Sequence, residues 1–326
     1  MAKSKATDGQ SQPRASGAGS SGGHLARILA IVLVNLTMVA VAICFKSSAL
    51  IFENPDFSRS WHIISILPVS AAMGMILACR RIDFSLPAIL ALAMALSGTH
   101  GILSSDPFVR LLTVCGIAAG IGLLSALVTW YGRISSALWS ILLMLGLWEL
   151  ASARGLVGAG PWTGPWAWEW AAGISVGLIA LGAVVLGATG LVAPPSSPPI
   201  IRSGSKGLLG LALAWAIAGA GVAMASQSDS RELGLDLGRA PYVVYAAAAL
   251  GGSHILRGRW GMPTAVALTC LAHVAWSYVS TMHFSSRTAD ILVSGGAPLI
   301  AIPLYLAIDW LIRRRTGESA PTGLLA

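Results

Sequence analysis

Two short stretches hold the residues whose types and spacing could do chemistry. Asp83 lies in LACRRIDFSL (77–86), where an apolar run gives way to Arg80, Arg81, Asp83 and Ser85. A buried carboxylate is costly without a partner, so one is expected among Arg80, Arg81, Arg257 and Arg259. The second stretch, AAAALGGSHILRGRWG (246–261), stops at Gly251 and Gly252, turns through Ser253 and His254, and then carries Arg257 and Arg259. Adjacent glycines permit backbone angles that other residues resist. Backbone that leaves the helix at membrane depth must be satisfied by protein or by a water-filled cavity. The chemistry these stretches suit is contact with a polar solute, and a local ion pair at the membrane surface is the plainer alternative for Asp83.

Other chemistry is not expected. The chain has no Walker A motif, no HExxH and no carboxylate pair placed as general acid and base. His24, His62, His100, His254, His273 and His283 do not pair at i+3 or i+4, so neither a metal site nor any cofactor is expected. His273 falls inside an apolar segment, where most such residues are hydrogen-bonded core groups, although an ionisable group in a membrane is also a functional candidate. Glu149 and Asp309 fall near segment ends and are expected to be solvated or paired. Cys44, Cys79, Cys115 and Cys270 form no CxxC pair and read as small core residues. An enzyme is not expected, and uphill movement of a solute would draw its energy from an ion gradient or another subunit.

The elements that position these residues follow from composition. The 326-residue chain is 55% hydrophobic and 10% charged, against about a quarter charged in a soluble domain. Long apolar runs place it among membrane proteins. The expected fold is all-α, a polytopic bundle of about ten spans near 25–45, 60–79, 86–104, 108–130, 134–153, 173–193, 207–226, 241–256, 262–282 and 288–312, each close to the ~20 residues a bilayer core needs. Two half-repeats, about 24–193 and 207–315, are joined by 194–206. Residues 1–23 are Gly/Ser-rich and read as a disordered cytoplasmic tail rather than a signal peptide, and 316–326 as a second cytoplasmic tail. In both halves the segment after the break opens alike, PAILAL (87–92) and PTAVAL (263–268). Interrupted apolar segments at corresponding positions of two halves point to a transport site.

Charge sets the orientation. With the N-terminus inside, only Lys46, Arg59, Arg110, Arg154, Arg231, Arg239 and Arg287 of the 21 basic residues fall on outer segments. Excess Lys and Arg on inner segments places both termini in the cytoplasm. The basic residues flank apolar runs rather than forming a patch interleaved with aromatics, so the net charge of +8 does not indicate nucleic acid. Gly160–Trp170, with four of the twelve tryptophans, is expected as an outer interfacial loop. Pro194–Lys206 is the main inner loop, stiffened by Pro194, Pro195, Pro198 and Pro199.

These phrases resemble the inner-membrane permeases of the ribose-type ABC importer family, relatives of the branched-chain amino acid permeases. RRIDFSLP (80–87) stands where such permeases carry a phrase like GGIDLSVGS. YGRISS (131–136) followed by LASARG (150–155) stands for YGRIPP and a later ARG. AALGGSHILRGRWG (248–261) stands for AVVLGGTSLSGGRGS. The resemblance covers roughly 60–315. It implies a bacterial inner-membrane permease for a sugar or similar small polar solute. Its partners would be an ABC ATPase, an extracytoplasmic solute-binding protein, a second permease subunit and membrane lipid. Arg80, Arg81, Asp83, Ser85, Gly251, Gly252, Ser253 and His254 would border the pathway. The usual cytoplasmic coupling phrase is absent, which leaves Ile200, Ile201 and Arg202 of the inner loop, or Arg133, Arg257 and Arg259, to meet the ATPase. A stand-alone secondary transporter of the drug/metabolite exporter type, or a non-transporting membrane subunit, is the alternative.

Overall fold

The computed structural model describes residues 21–45, 57–78, 81–86, 88, 89, 92, 107–132, 134–153, 168–188, 212–220, 240–256, 261–281 and 296–317. Among them the chain is helical, with no strand. In chain order the helices are α1 (Ser21–Phe45), α2 (Phe57–Ala78), α3 (Pro107–Gly132), α4 (Ser136–Ala153), α5 (Trp168–Ala188), α6 (212–220), α7 (Ala240–Leu250), α8 (Gly261–Thr281) and α9 (Ala297–Thr316). Two boundaries differ from the sequence reading. Helix α1 already begins at Ser21, inside the stretch read as a disordered tail, and Trp168–Trp170 form the first turn of α5 rather than part of a loop. Small residues do not forbid a helical turn when a long apolar helix follows to propagate it.

Among the described residues, three helices are long and apolar enough to cross a membrane: Gly22–Cys44, Leu111–Thr129 and Gly261–Val279. Shorter apolar helices run over Leu67–Ala78, Ser136–Leu147 and Gly173–Leu186. The exposed faces match this character. Leu25, Leu29, Leu33 and Leu36 of α1 are 56–62% exposed, an apolar stripe that water would penalise and acyl chains would cover. These features suit a membrane protein. Cys44 is exposed and Cys115 is half-buried, so these two are not the core residues the sequence suggested, whereas half-buried Cys270 packs against the main core. A thiol is apolar enough to sit on such a face.

The core gathers around α2 and α8. They run antiparallel, since Ser70 meets His273 and Gly74 meets Thr269. Residues 69–78 of α2 are buried throughout, the pattern of a helix enclosed on all sides. Around this pair, α8 also packs on α1, α5 and α7, and α2 on α5 and α7. Helix α6 lies on α3, where Gly122 admits the buried ring of Trp215; a Cβ there would come within 2.2 Å of its Cγ. Helices α1 and α9 pack together, held by an ion pair between Arg27 and Asp309 at 2.8 Å.

Candidate functional site

Both sequence breaks are real interruptions of helix. At the second, α7 ends at Leu250 and Gly252 takes φ +66°, the left-handed region. The Gly252 N–H donates to the Ala249 carbonyl at 3.0 Å and the Ser253 N–H to the Ala248 carbonyl at 3.3 Å. This pair of bonds is the Schellman motif that closes a helix C-terminus through a glycine. Ile255 and Leu256 then both donate to the Gly252 carbonyl at 2.9 Å, so the turn satisfies its own backbone. Gly251 is required for a different reason. A Cβ there would lie 2.5 Å from the Cα of Thr269, so α7 and α8 touch backbone to backbone.

Ser253, fully buried, shares a hydrogen bond with the Thr269 hydroxyl, which also donates to the Ala265 carbonyl at 2.7 Å. Gly74 of α2 completes the contact; a Cβ on it would stand 3.0 Å from the Thr269 hydroxyl and 3.2 Å from that of Ser253. One turn along α8, the His273 Nδ1 meets the Ser70 hydroxyl at 2.8 Å and its Nε2 meets the Ser277 hydroxyl at 3.1 Å. Thr269, His273 and Ser277 recur every four residues and so share one face of α8, while Ser70 and Gly74 share one face of α2. The result is a polar seam between apolar helices, closed to solvent at every named position. The three-residue pattern on α8 is visible in the sequence as spacing, but no separate signal pairs it with α2.

At the first break, Asp83 is buried and its carboxylate accepts from the Ser85 N–H at 2.9 Å and the Ser85 hydroxyl at 2.5 Å. Of the expected arginine partners, Arg80, Arg257 and Arg259 lie outside the described residues, and the Arg81 charge acts on the Asp83 carboxylate beside this local turn. Arg81 also donates from its guanidinium to the Thr129 hydroxyl of α3. The backbone carbonyl of Asp83 accepts a hydrogen bond from the phenol of Tyr245 on α7, and the Tyr245 ring packs on Phe84 at 5.1 Å between centroids. A small, partly open cleft with a cavity volume of about 10 Å³ adjoins this break. Arg81, Asp83, Ser125 and Ser136 give it polar walls, and Ile76, Ile82 and Trp215 apolar ones.

Of the pathway candidates, Arg81, Asp83 and Ser85 gather at the first break, and Gly251, Gly252, Ser253 and His254 at the second, where the His254 ring meets Tyr305 of α9 edge-on at 6.4 Å. Arg80, and all the coupling candidates Ile200, Ile201, Arg202, Arg133, Arg257 and Arg259, lie outside the described residues. The two breaks are linked crosswise. The first is tied to the helix that leads into the second, and the second is packed on the helix that leads into the first. Sequence reasoning missed Tyr245, Thr269, Ser70 and the Arg27–Asp309 pair; each acts through a partner far away in the chain. Among the described residues no group of three or more His, Cys, Asp or Glu is placed to hold a metal ion.

Comparison of the chain with protein-family models, with curated proteins and with solved structures gives no match.

Proposed function

We propose that the chain is the membrane-embedded permease subunit of an ABC importer for a sugar or similar small polar solute, seated in a bacterial inner membrane with both termini in the cytoplasm. The observation that carries this reading is the crosswise link between the two helix breaks, with hydroxyls and glycines concentrated where α2, α7 and α8 meet. Interrupted helices facing each other across a bundle are the usual architecture of a solute site in a transporter. The antiparallel pairs α2/α8 and α1/α9 are compatible with the orientation drawn from the charges.

In this reading the seam is the closed state of the pathway. Serine and threonine hydroxyls can donate or accept, so they can exchange bonds with one another for bonds with a sugar hydroxyl at little net cost. Separation of α2 from α8 would expose Ser70, Thr269, Ser253 and His273 together. The chain carries no motif for ATP hydrolysis, so the work would come from a partner ATPase, with an extracytoplasmic binding protein delivering solute and a second permease subunit completing the pore.

The test is affinity purification of the full chain from its native membrane, followed by transport in vesicles. An ATPase that co-purifies, with uptake that requires ATP, supports the proposal. Transport by the lone chain that collapses with an uncoupler would replace it with a secondary transporter. Ile200→Ser with Ile201→Ser should abolish ATPase association while the protein still inserts. Full association of that variant would move the coupling contact away from the inner loop.

A further inference from the structure

We infer that the C-terminal turn of α9, held level with the start of α1 by the Arg27–Asp309 pair, forms a binding site for the phosphate headgroup of an anionic membrane lipid. The placement comes from the register of two helices. Arg27 pairs with Asp309, and one turn further into the bundle Ile31 and Tyr305 both press on Gly252, each 2.6 Å from where its Cβ would stand. Helices α1 and α9 therefore run antiparallel, and residues 313–316 lie level with the start of α1, where the apolar span Gly22–Cys44 begins. Arg313, Arg314 and Arg315 are thereby held at the height at which the headgroups of a bilayer would lie.

The charge there exceeds what the fold itself uses. Asp309 accepts from Arg27 through one oxygen and from Arg313 through the other, at 2.8 and 2.5 Å. Among the described residues at this level, one carboxylate thus stands against four guanidiniums, and Arg314 and Arg315 are exposed. The helix terminus favours basic residues on its own, yet the arrangement includes more than a charge run. Trp310 is 56% exposed and lies beneath Arg314, whose guanidinium carbon is 5.5 Å from the ring centroid. Leu304, Leu306 and Leu311 continue an exposed apolar surface down the same helix. An indole between an apolar surface and a cationic cluster is the pattern of a membrane interface, and clustered arginine at that level selects anionic headgroups. Gly317, at φ +68°, ends the helix with its N–H on the Arg313 carbonyl, which fixes the last turn. The inference needs α1 to cross a membrane and is independent of what the chain transports.

The full-length protein is reconstituted in phosphatidylcholine discs containing a minor share of phosphatidylglycerol, then moved to detergent, and the retained lipid is quantified. Phosphatidylglycerol should be enriched about tenfold or more over its bulk share, and high salt should remove the enrichment. Arg314→Gln with Arg315→Gln should bring retention back to the bulk ratio without lowering the melting temperature, because neither residue joins the Asp309 cluster. Retention at the bulk ratio by the wild type, or unchanged enrichment in the double variant, overturns the inference. So does displacement of the lipid by millimolar inorganic phosphate that itself stabilises the protein, which would mark a site for a soluble anion instead.

Discussion

Tyr245 donates its phenolic hydrogen bond to the backbone carbonyl of Asp83, 162 residues away in the chain. The contact ties the helix that enters the second break to the turn of the first. The Asp83 carboxylate takes both Ser85 hydrogen bonds on one oxygen, and the carbonyl is the group that Tyr245 of the other half of the chain grips.

Tyr245→Phe tests the grip. The ring contact with Phe84 survives, while the buried carbonyl loses its donor, which costs about 1–3 kcal/mol. The variant should melt at a lower temperature in detergent and lose transport activity per inserted molecule. An unchanged melting temperature would show that water or another donor replaces the phenol.

The glycines of the second break should fail in a definite order. Gly251→Ala drives a methyl group into the backbone of Thr269 at 2.5 Å, and backbone cannot step aside. Gly252→Ala meets the tips of Ile31 and Tyr305, which can move, but it also carries the ~1–2 kcal/mol of a left-handed non-glycine residue. Gly116→Ala on α3 meets nothing within 4 Å and should be neutral. Thermal melting of the three variants checks the ranking, and Gly252→Leu should reduce transport more than insertion. A Gly251→Ala protein as stable as Gly116→Ala would mean that α7 and α8 do not approach so closely.

These glycines also mark what the sequence makes legible. A doubled glycine at the end of an apolar run announces a helix stop because few other residues accept the left-handed angle of the cap, and long apolar segments announce membrane helices by length alone. The partners of the breaks are not legible. Asp83 reads as one half of an ion pair, since arginines are its neighbours in sequence, but nothing there shows that its hydrogen bonds come from a serine two residues on, or that Arg81 also reaches Thr129 of α3. Ser70 looks unremarkable, and His273 stands out only as an ionisable residue inside an apolar segment, until α2 and α8 are laid side by side. Periodicity tells which residues share a face, and tertiary packing alone tells which face meets it.

Within the seam, the imidazole should prove more dependent on its serines than they are on it. A helical serine that loses its partner can turn to the carbonyl four residues back, whereas an imidazole nitrogen has no such fallback. Ser70→Ala with Ser277→Ala removes a hydroxyl partner from each ring nitrogen, and the loss of such a buried hydrogen bond costs about 1–3 kcal/mol. His273→Leu exchanges the ring for an apolar side chain of similar reach and frees two serines that can rebond locally. The double alanine variant should therefore melt below His273→Leu, although both should impair transport. The reverse order in melting would indicate that the ring is held chiefly by packing.

Asp309 is buried between Arg27 and Arg313. Charges taken out of water lose hydration, and a buried pair recovers it only while both signs are present. Asp309→Asn keeps the shape and removes the negative charge, so Arg27, with its side chain 9% exposed, loses the carboxylate that pairs it with α9. The loss should be about 3–5 kcal/mol, seen as a large drop in melting temperature. Arg27→Met with Asp309→Leu removes both charges, fills similar volume and should recover most of that loss. Arg313 is more exposed than either and, one turn nearer the helix end, can swing its guanidinium towards the headgroup region. A double variant as unstable as Asp309→Asn would show that Asp309 is needed chiefly by Arg313, and that the tie between α1 and α9 is set by apolar packing around Ile31 and Tyr305.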